Sequence, residues 1–169
     1  MIFFLDIDGV MVHANPHKPV ELEGDGFYKF NPVAVDILNS VLYKTKDQII
    51  LSTSHRYRYT VNKWKALFKN RGIEIKFLSI LNDHKLSFDP SCSRKTELLE
   101  WIHHNNIDYN KVVIIDDDKS LNDLPKALKQ RLVLTNSYTG LNEVKDLKNV
   151  LQRRLKKNLF KNRDLKNTR

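Results

Sequence analysis

The most constraining feature of this chain is an alternation. Short apolar runs of strand length are each followed by a segment whose apolar residues recur at helical spacing. Ile2, Phe3, Phe4 and Leu5 form a continuous apolar run with an aromatic bias, as a strand covered on both faces requires. Asn31 and Pro32 then supply an N-cap and a proline at the first helical position, and Val33, Ile37, Leu38, Val41 and Leu42 share one face. Residues 48–52 read as a second strand. Residues 60–71 read as a second helix, with Val61, Trp64, Leu67 and Phe68 on one stripe and Gly72 just past its end. A third strand is expected at 73–78, a helix at 95–104 with Leu98, Leu99 and Ile102 inward, and a fourth strand at 111–115. Residues 121–128 are expected to be helical despite Pro125, followed by a fifth strand at 131–135 and a final helix from Glu143 onward. Strands separated by helical patterns of about ten to fifteen residues predict βαβ units. The expected fold is therefore α/β, Rossmann-like, with a mainly parallel five-stranded sheet and helices on both faces.

Composition sets the outer limits. A length of 169 residues suits one core, and 41% hydrophobic with 29% charged residues and only five Gly and five Pro excludes disordered or collagen-like chains. The single cysteine, Cys92, excludes an intrachain disulfide; a reducing cytoplasmic setting and no disulfide-linked partner are expected. The first apolar run is stopped by Asp6 and Asp8, too short and too acidic for a signal peptide or membrane span. A soluble protein with no membrane partner is expected. The formal charge of +9 is unevenly placed: residues 152–169 carry eight basic side chains against Asp164 alone, which leaves +2 for residues 1–151. We divide the chain accordingly into one folded domain, 1–151, and a basic helix end or tail, 152–169. The tail is either a solvated helical end or a surface that attracts polyphosphate by counterion release.

In a parallel sheet of this kind ligands sit at the carboxyl ends of the strands. The residues that follow the expected strands are polar: Asp6-Ile7-Asp8-Gly9 after the first, Ser52-Thr53-Ser54-His55-Arg56 after the second, and Asp116-Asp117-Asp118 after the fourth. Lys95 precedes the helix that leads into the fourth strand. Each group alone is an ordinary cap or turn. Together they bring several carboxylates to one sheet edge, where repulsion is relieved by a cation or by protonation. Oxygen-only ligands favour a hard ion such as Mg2+.

Residues 3–10, Phe3-Phe4-Leu5-Asp6-Ile7-Asp8-Gly9-Val10, resemble the first motif of the haloacid dehalogenase (HAD) superfamily, an apolar strand followed by Asp-x-Asp-Gly. The remaining motifs follow in that family's order: Ile49-Ile50-Leu51-Ser52-Thr53, then Ser93-Arg94-Lys95, then Val112 to Ile115 followed by Asp116-Asp117. Leu51-Ser52-Thr53-Ser54-His55-Arg56 and Thr139-Gly140-Leu141 further resemble the HAD domains of multi-enzyme RNA repair proteins.

The resemblance implies a Mg2+-dependent phosphatase. Asp6 would attack phosphorus to form an aspartyl-phosphate, and Asp8 would protonate the leaving oxygen and then activate water. Mg2+ would be held by Asp6, the Asp8 main-chain carbonyl, Asp117 and, as a further ligand, Asp116. Thr53 and Lys95 would bind phosphate oxygens, with Ser52 the rival of Thr53 because a one-residue register error exchanges their faces. Gly9, Ser52, Ser54, Arg56 and Tyr57 are the candidate substrate contacts, Gly9 also permitting the sharp turn. Asp118 is expected to cap the next helix. Receiver domains share aspartyl-phosphate chemistry, but in them the acidic pair precedes the lysine; here it follows.

Substrate class depends on what covers the site. The intervals 11–31 and 79–93 are both too short to build a folded cap with its own core. An open site suits a phosphate on a macromolecule, and nucleic acid ranks above phosphoprotein on two grounds. One is His55-Arg56-Tyr57-Arg58-Tyr59, which interleaves cations with aromatics and suits phosphate contact and stacking, unless its tyrosines merely pack on neighbours. The other is the basic tail. A small metabolite remains an alternative substrate, and a non-catalytic nucleic-acid-binding module the alternative function. The six histidines show no zinc spacing with Cys92, and Trp64 and Trp101 sit on apolar helical stripes as core residues.

Overall fold

A computed structural model of the chain describes residues 1–81 and 92–152. Its five strands are β1 (Ile2–Leu5), β2 (Gln48–Leu51), β3 (Phe77–Ile80), β4 (Val112–Asp116) and β5 (Leu132–Leu134). They form one sheet in the order β3-β2-β1-β4-β5, every neighbouring pair parallel. The connecting helices are α1 (Pro32–Asn39), α2 (Val61–Asn70), α3 (Arg94–His104) and α4 (Lys126–Lys129), and residues 144–152 form a fifth helix, α5. The α/β fold with a five-stranded parallel sheet is thus as expected. Among the described residues no helix is long and apolar enough to cross a membrane.

Alternation along the strands sorts the core into two layers. Phe3, Leu5, Ile49, Leu51, Val113 and Ile115 face α1, α2 and α5, where Leu38, Trp64, Leu67, Phe68 and Leu147 are fully buried against them. Phe4, Ile50, Val112 and Ile114 face the other way, onto Leu98 and Ile102 of α3 and onto Leu121, Leu124 and Leu128. Both faces are therefore covered, which is why the strands read as unbroken apolar runs.

Two elements differ from the sequence expectation. The third strand begins at Phe77, four residues later than 73–78 suggests. Ile73 is spent on ending α2: Gly72, at φ +80°, donates to the Lys69 carbonyl and Ile73 to that of Phe68, a left-handed closure that buries Ile73. The single helix expected at 121–128 is instead a 3-10 turn (Lys119–Asp123) and the short α4. Pro125 forces Leu124 into an extended conformation, ψ 147°, and so breaks the run between them. Strands two, four and five differ only in their terminal residues. Most of the interval 79–93, and all but the first residue of the basic tail, lie outside the described residues.

The interval 11–31 folds back on the domain. Leu22 and Tyr28 form an antiparallel bridge, and the turn between them inserts Phe27, fully buried, among edge-on rings of Trp64, Phe30, Tyr59 and His55. Asp25 in that turn accepts two hydrogen bonds from the Arg71 guanidinium, both at 2.8 Å.

Candidate active site

Strand β1 delivers Asp6 to the carboxyl edge of the sheet, where its amide donates to the Ile115 carbonyl at 3.1 Å. The register pairs Leu5 with both Leu51 and Ile115, so one residue further on Asp6 is flanked by Ser52 and Asp116. The chain must then turn at once. The amides of Val10, Met11 and Val12 all donate to the Ile7 carbonyl, with Gly9 at φ +70°. A side chain at Gly9 is barred twice, by that φ and by Asp117, whose Oδ2 would lie 2.2 Å from a Cβ. The glycine leaves room for the carboxylate of Asp117 beside Asp6.

Asp6 and Asp116 are buried and Asp117 is half-buried. One carboxylate oxygen from each of the three lies within 4.8 Å of the others. Burial, followed by the neighbouring Asp116 charge, pushes Asp6 up to about 8, against the opposing pull of Arg94. Burial likewise pushes Asp116 up to about 6, with Arg94 again opposing. Arg94 reaches the pair from the first turn of α3: its Nε lies 3.3 Å from Asp116 Oδ2, an ion-pair contact that falls short of a hydrogen bond and leaves that buried oxygen without a donor. Although burial works against its charge, Asp116, Asp6 and Glu97 together hold the Arg94 guanidinium above its usual range. Asp6 and Asp116 thus share one cation with Glu97, whose Oε2 lies 3.3 Å from the Arg94 guanidinium. The surplus of negative charge, the unbonded oxygen of Asp116 and the all-oxygen donor set fit a hard divalent cation.

The second-strand motif divides into distinct placements. Ser52 is fully buried in the Asp6 row, and its Oγ has no hydrogen-bond partner among the described residues. Thr53 is also buried, but its Oγ1 accepts from the His55 amide and caps the 3-10 turn Ser54–Tyr57. Ser54 is exposed at the start of that turn. Arg56 was expected to face substrate; it is 2% exposed and turned inward. Its guanidinium donates to the Ser52 and Thr53 carbonyls and pairs with Glu97, tying the end of β2 to α3. Tyr57 is half-buried, its hydroxyl donating to the Leu81 carbonyl at 3.4 Å and its ring lying under Arg56. The inward placement of Arg56, His55 and Tyr59 has a plain cause, since Glu97 gives Arg56 a buried countercharge and the Phe27 cluster seats the two rings, while Arg58 stays exposed.

Lys95 is half-buried, and its ammonium has no ion-pair partner among the described residues. Its amide donates to Ser120 Oγ at 3.4 Å. Of the two adjacent cations at the start of α3, Arg94 is the one that contacts the carboxylates. Asp118 caps the 3-10 turn through Ser120, while its own amide donates to Asp116 Oδ1 at 3.0 Å. Thr135, just past β5, donates its hydroxyl to the Gly9 carbonyl, and Gly140 packs where a Cβ would sit 2.6 Å from the Val10 oxygen. The roles of Arg94 and Glu97 were not read from the sequence, nor was the pairing of His55 with Asp8, Nε2 lying 2.9 Å from Oδ2. Arg94 could have been found from Ser93 as the N-cap, which sets the phase of α3.

A parallel α/β sheet with Asp-x-Asp-Gly at the end of its central strand and an acidic pair at the end of the adjacent strand defines a domain of the HAD superfamily. Within it, the model of the HAD domain in Swiss Army Knife RNA repair proteins matches residues 2–145, and this chain belongs to that family. No curated protein matches the chain significantly. Among solved structures, the crystal structure of a hypothetical protein from Xanthomonas campestris is similar at 12% identity and a TM-score of 0.46, over 90% of this chain and 81% of that one.

Proposed function

We propose that this chain is a Mg2+-dependent phosphomonoester hydrolase that works through an aspartyl-phosphate, with a terminal phosphate on a nucleic acid as its substrate. The observation that carries the reading is the crowding of Asp6, Asp116 and Asp117, one oxygen of each within 4.8 Å of the others, with Arg94 paired to Asp116 and Asp8 two residues from Asp6. A pure binding fold has no need of both a nucleophile and an adjacent acid/base.

Asp6 attacks phosphorus through a carboxylate oxygen, and the bond from phosphorus to the leaving oxygen breaks as Asp8 gives that oxygen a proton. Water then enters; Asp8 takes its proton, the water oxygen bonds to phosphorus, and the bond to Asp6 breaks to release phosphate. Ser52 Oγ, buried beside Asp6 without a partner, takes the phosphate-oxygen contact, while Thr53 orders the adjoining turn. Arg94 takes the charge-offsetting role expected of Lys95. When bound by Asp6, Asp116, Asp117 and the Asp8 carbonyl, Mg2+ supplies the positive charge that ionises Asp6 and lets it approach an anionic phosphate. The RNA repair context of the family and the short interval 11–31 support a nucleic-acid substrate. Arg56 and Tyr57, being turned inward, lend it no support.

The test is Mg2+-dependent phosphate release from a 3′-phosphorylated oligonucleotide, a 5′-phosphorylated one and an aryl phosphate, with Asp6→Asn as control. Release from one oligonucleotide end, reduced at least about a thousandfold in the control, is expected. Activity on the aryl phosphate alone overturns the nucleic-acid assignment. Inactivity on all three returns the chain to a binding role.

A further inference from the structure

Asp8 does not stand alone at the end of β1. Its Oδ2 lies 2.9 Å from His55 Nε2, and 46 residues separate the two in the chain next to the turn that Thr53 caps. The imidazole has little freedom. Its backbone is fixed at both ends, by the His55 amide on Thr53 Oγ1 and by the Arg58 amide on the His55 carbonyl at 2.8 Å. Its ring is wedged edge-on between Phe27, centroids 5.9 Å apart, and Tyr28, 5.4 Å apart. Phe27 is itself locked by Trp64, and the Trp64 indole N–H donates to the Arg56 carbonyl inside the same turn. The interval 11–31 and the 3-10 turn after β2 therefore cooperate to hold one nitrogen against one carboxyl oxygen. Asp8 by contrast is about a third exposed, and among the described residues no other side chain pairs with its carboxyl.

We propose that His55 is the positioning residue for Asp8, a role that rests on the phosphatase reading above. The 2.9 Å contact is an ion-pair approach that a small rotation of the exposed Asp8 carboxyl turns into an Nε2–H donation to Oδ2; the transferable proton of Asp8 is then confined to Oδ1, the oxygen left free to face the leaving group. In the first half-reaction that proton passes from Oδ1 to the leaving oxygen as the phosphorus–oxygen bond breaks and Asp6 becomes phosphorylated. In the second, Oδ1 takes a proton from water while the water oxygen bonds to phosphorus and Asp6 is released. The imidazole keeps the same hydrogen bond through both halves and exchanges no proton itself. A carboxyl free to rotate would present the wrong oxygen for part of the time, and general-acid help is worth roughly a hundredfold or more.

The role is tested by leaving-group dependence. kcat/KM is measured with Mg2+ for wild type, His55→Ala and His55→Gln on p-nitrophenyl phosphate, whose leaving group departs without a proton, and on an oligonucleotide phosphate, whose alkoxide needs one. Loss of Asp8 alignment is expected to lower the second by about a hundredfold and the first by less than about threefold. His55→Gln, which keeps an N–H donor, is expected to recover at least a tenth of the wild-type rate. In an Asp8→Asn background, His55→Ala is expected to have no further effect. Because both substrates are read on one sample, partial unfolding lowers both rates alike and leaves their ratio unchanged. Equal losses on the two substrates, or none, overturn the positioning role while leaving the phosphatase intact. A wild-type protein inactive on both overturns the phosphatase reading, and this role with it.

Discussion

Asp6 and Asp25 each lie near an arginine, yet they are driven in opposite directions. Asp25 takes two hydrogen bonds from Arg71, which hold its carboxyl well below the usual carboxylate range. Asp6 is pushed up to about 8 because it is buried beside Asp116, and Arg94 divides its charge among Asp6, Asp116 and Glu97. The first arrangement is closed: one acid, one base, matched geometry. The second has more acid than base and remains incomplete until another positive charge arrives. Electrostatic completeness thus separates a pair that builds the fold from a cluster poised to take a ligand.

The largest expected effect breaks the closed pair. Asp25→Ala leaves Arg71 buried without its countercharge and should cost about 3–5 kcal/mol in urea unfolding; a loss below about 1 kcal/mol would dissolve the contrast. Next comes pH. In the metal-free protein, folded Asp6 holds its proton from its ordinary value of 3.8 up to about 8 while the unfolded chain has lost it. The folded state therefore binds more protons across that window, and stability falls as pH rises through it. Asp25 has the opposite sign: its contribution is complete above 3.8 and is lost as pH falls below. Thermal unfolding from pH 4 to 8 should show a decline on the order of 1–3 kcal/mol; Asp6→Asn removes the part above about pH 6, while Asp116 keeps a share of the part below. A decline that persists unchanged in the variant would place its source elsewhere. The smallest effect separates two members of one acidic run. Asp118→Ala removes the cap on the 3-10 turn and should cost about 1 kcal/mol, whereas Asp116→Asn, which relieves repulsion, should raise Tm without metal. Equal and opposite behaviour on the same melting curves is the outcome that sharpens the comparison.

How much of this was legible in the chain depends on the range of the interaction. The strands around Asp6 are continuous apolar runs, because both faces are covered, and Gly9 and Asp118 act within their own turns. Ile73 misled the strand assignment because a local helix closure claimed it first. Arg94 and Lys95 are indistinguishable as residue types at a helix start, and only the phase of α3 against β4 chooses between them. Arg56 looked like a surface cation until Glu97, 41 positions away, gave it a buried partner. The pairing of His55 with Asp8 belongs to the same class: neither residue signals the other, and the sheet register brings them together.

The strand order carries one more consequence. β1 is the first strand in the chain but lies in the middle of the sheet, and its neighbour β4 comes more than a hundred residues later. During synthesis Asp6 is made early and waits for its acidic partners Asp116 and Asp117 until the second half of the domain slots in alongside. A half-made molecule consequently carries one carboxylate of the cluster without the others, and the cluster is complete only when the pairing of β1 with β4 closes. Dividing the backbone between α2 and α3 would turn that dependence into a reporter, with the acidic cluster restored only as the two pieces dock.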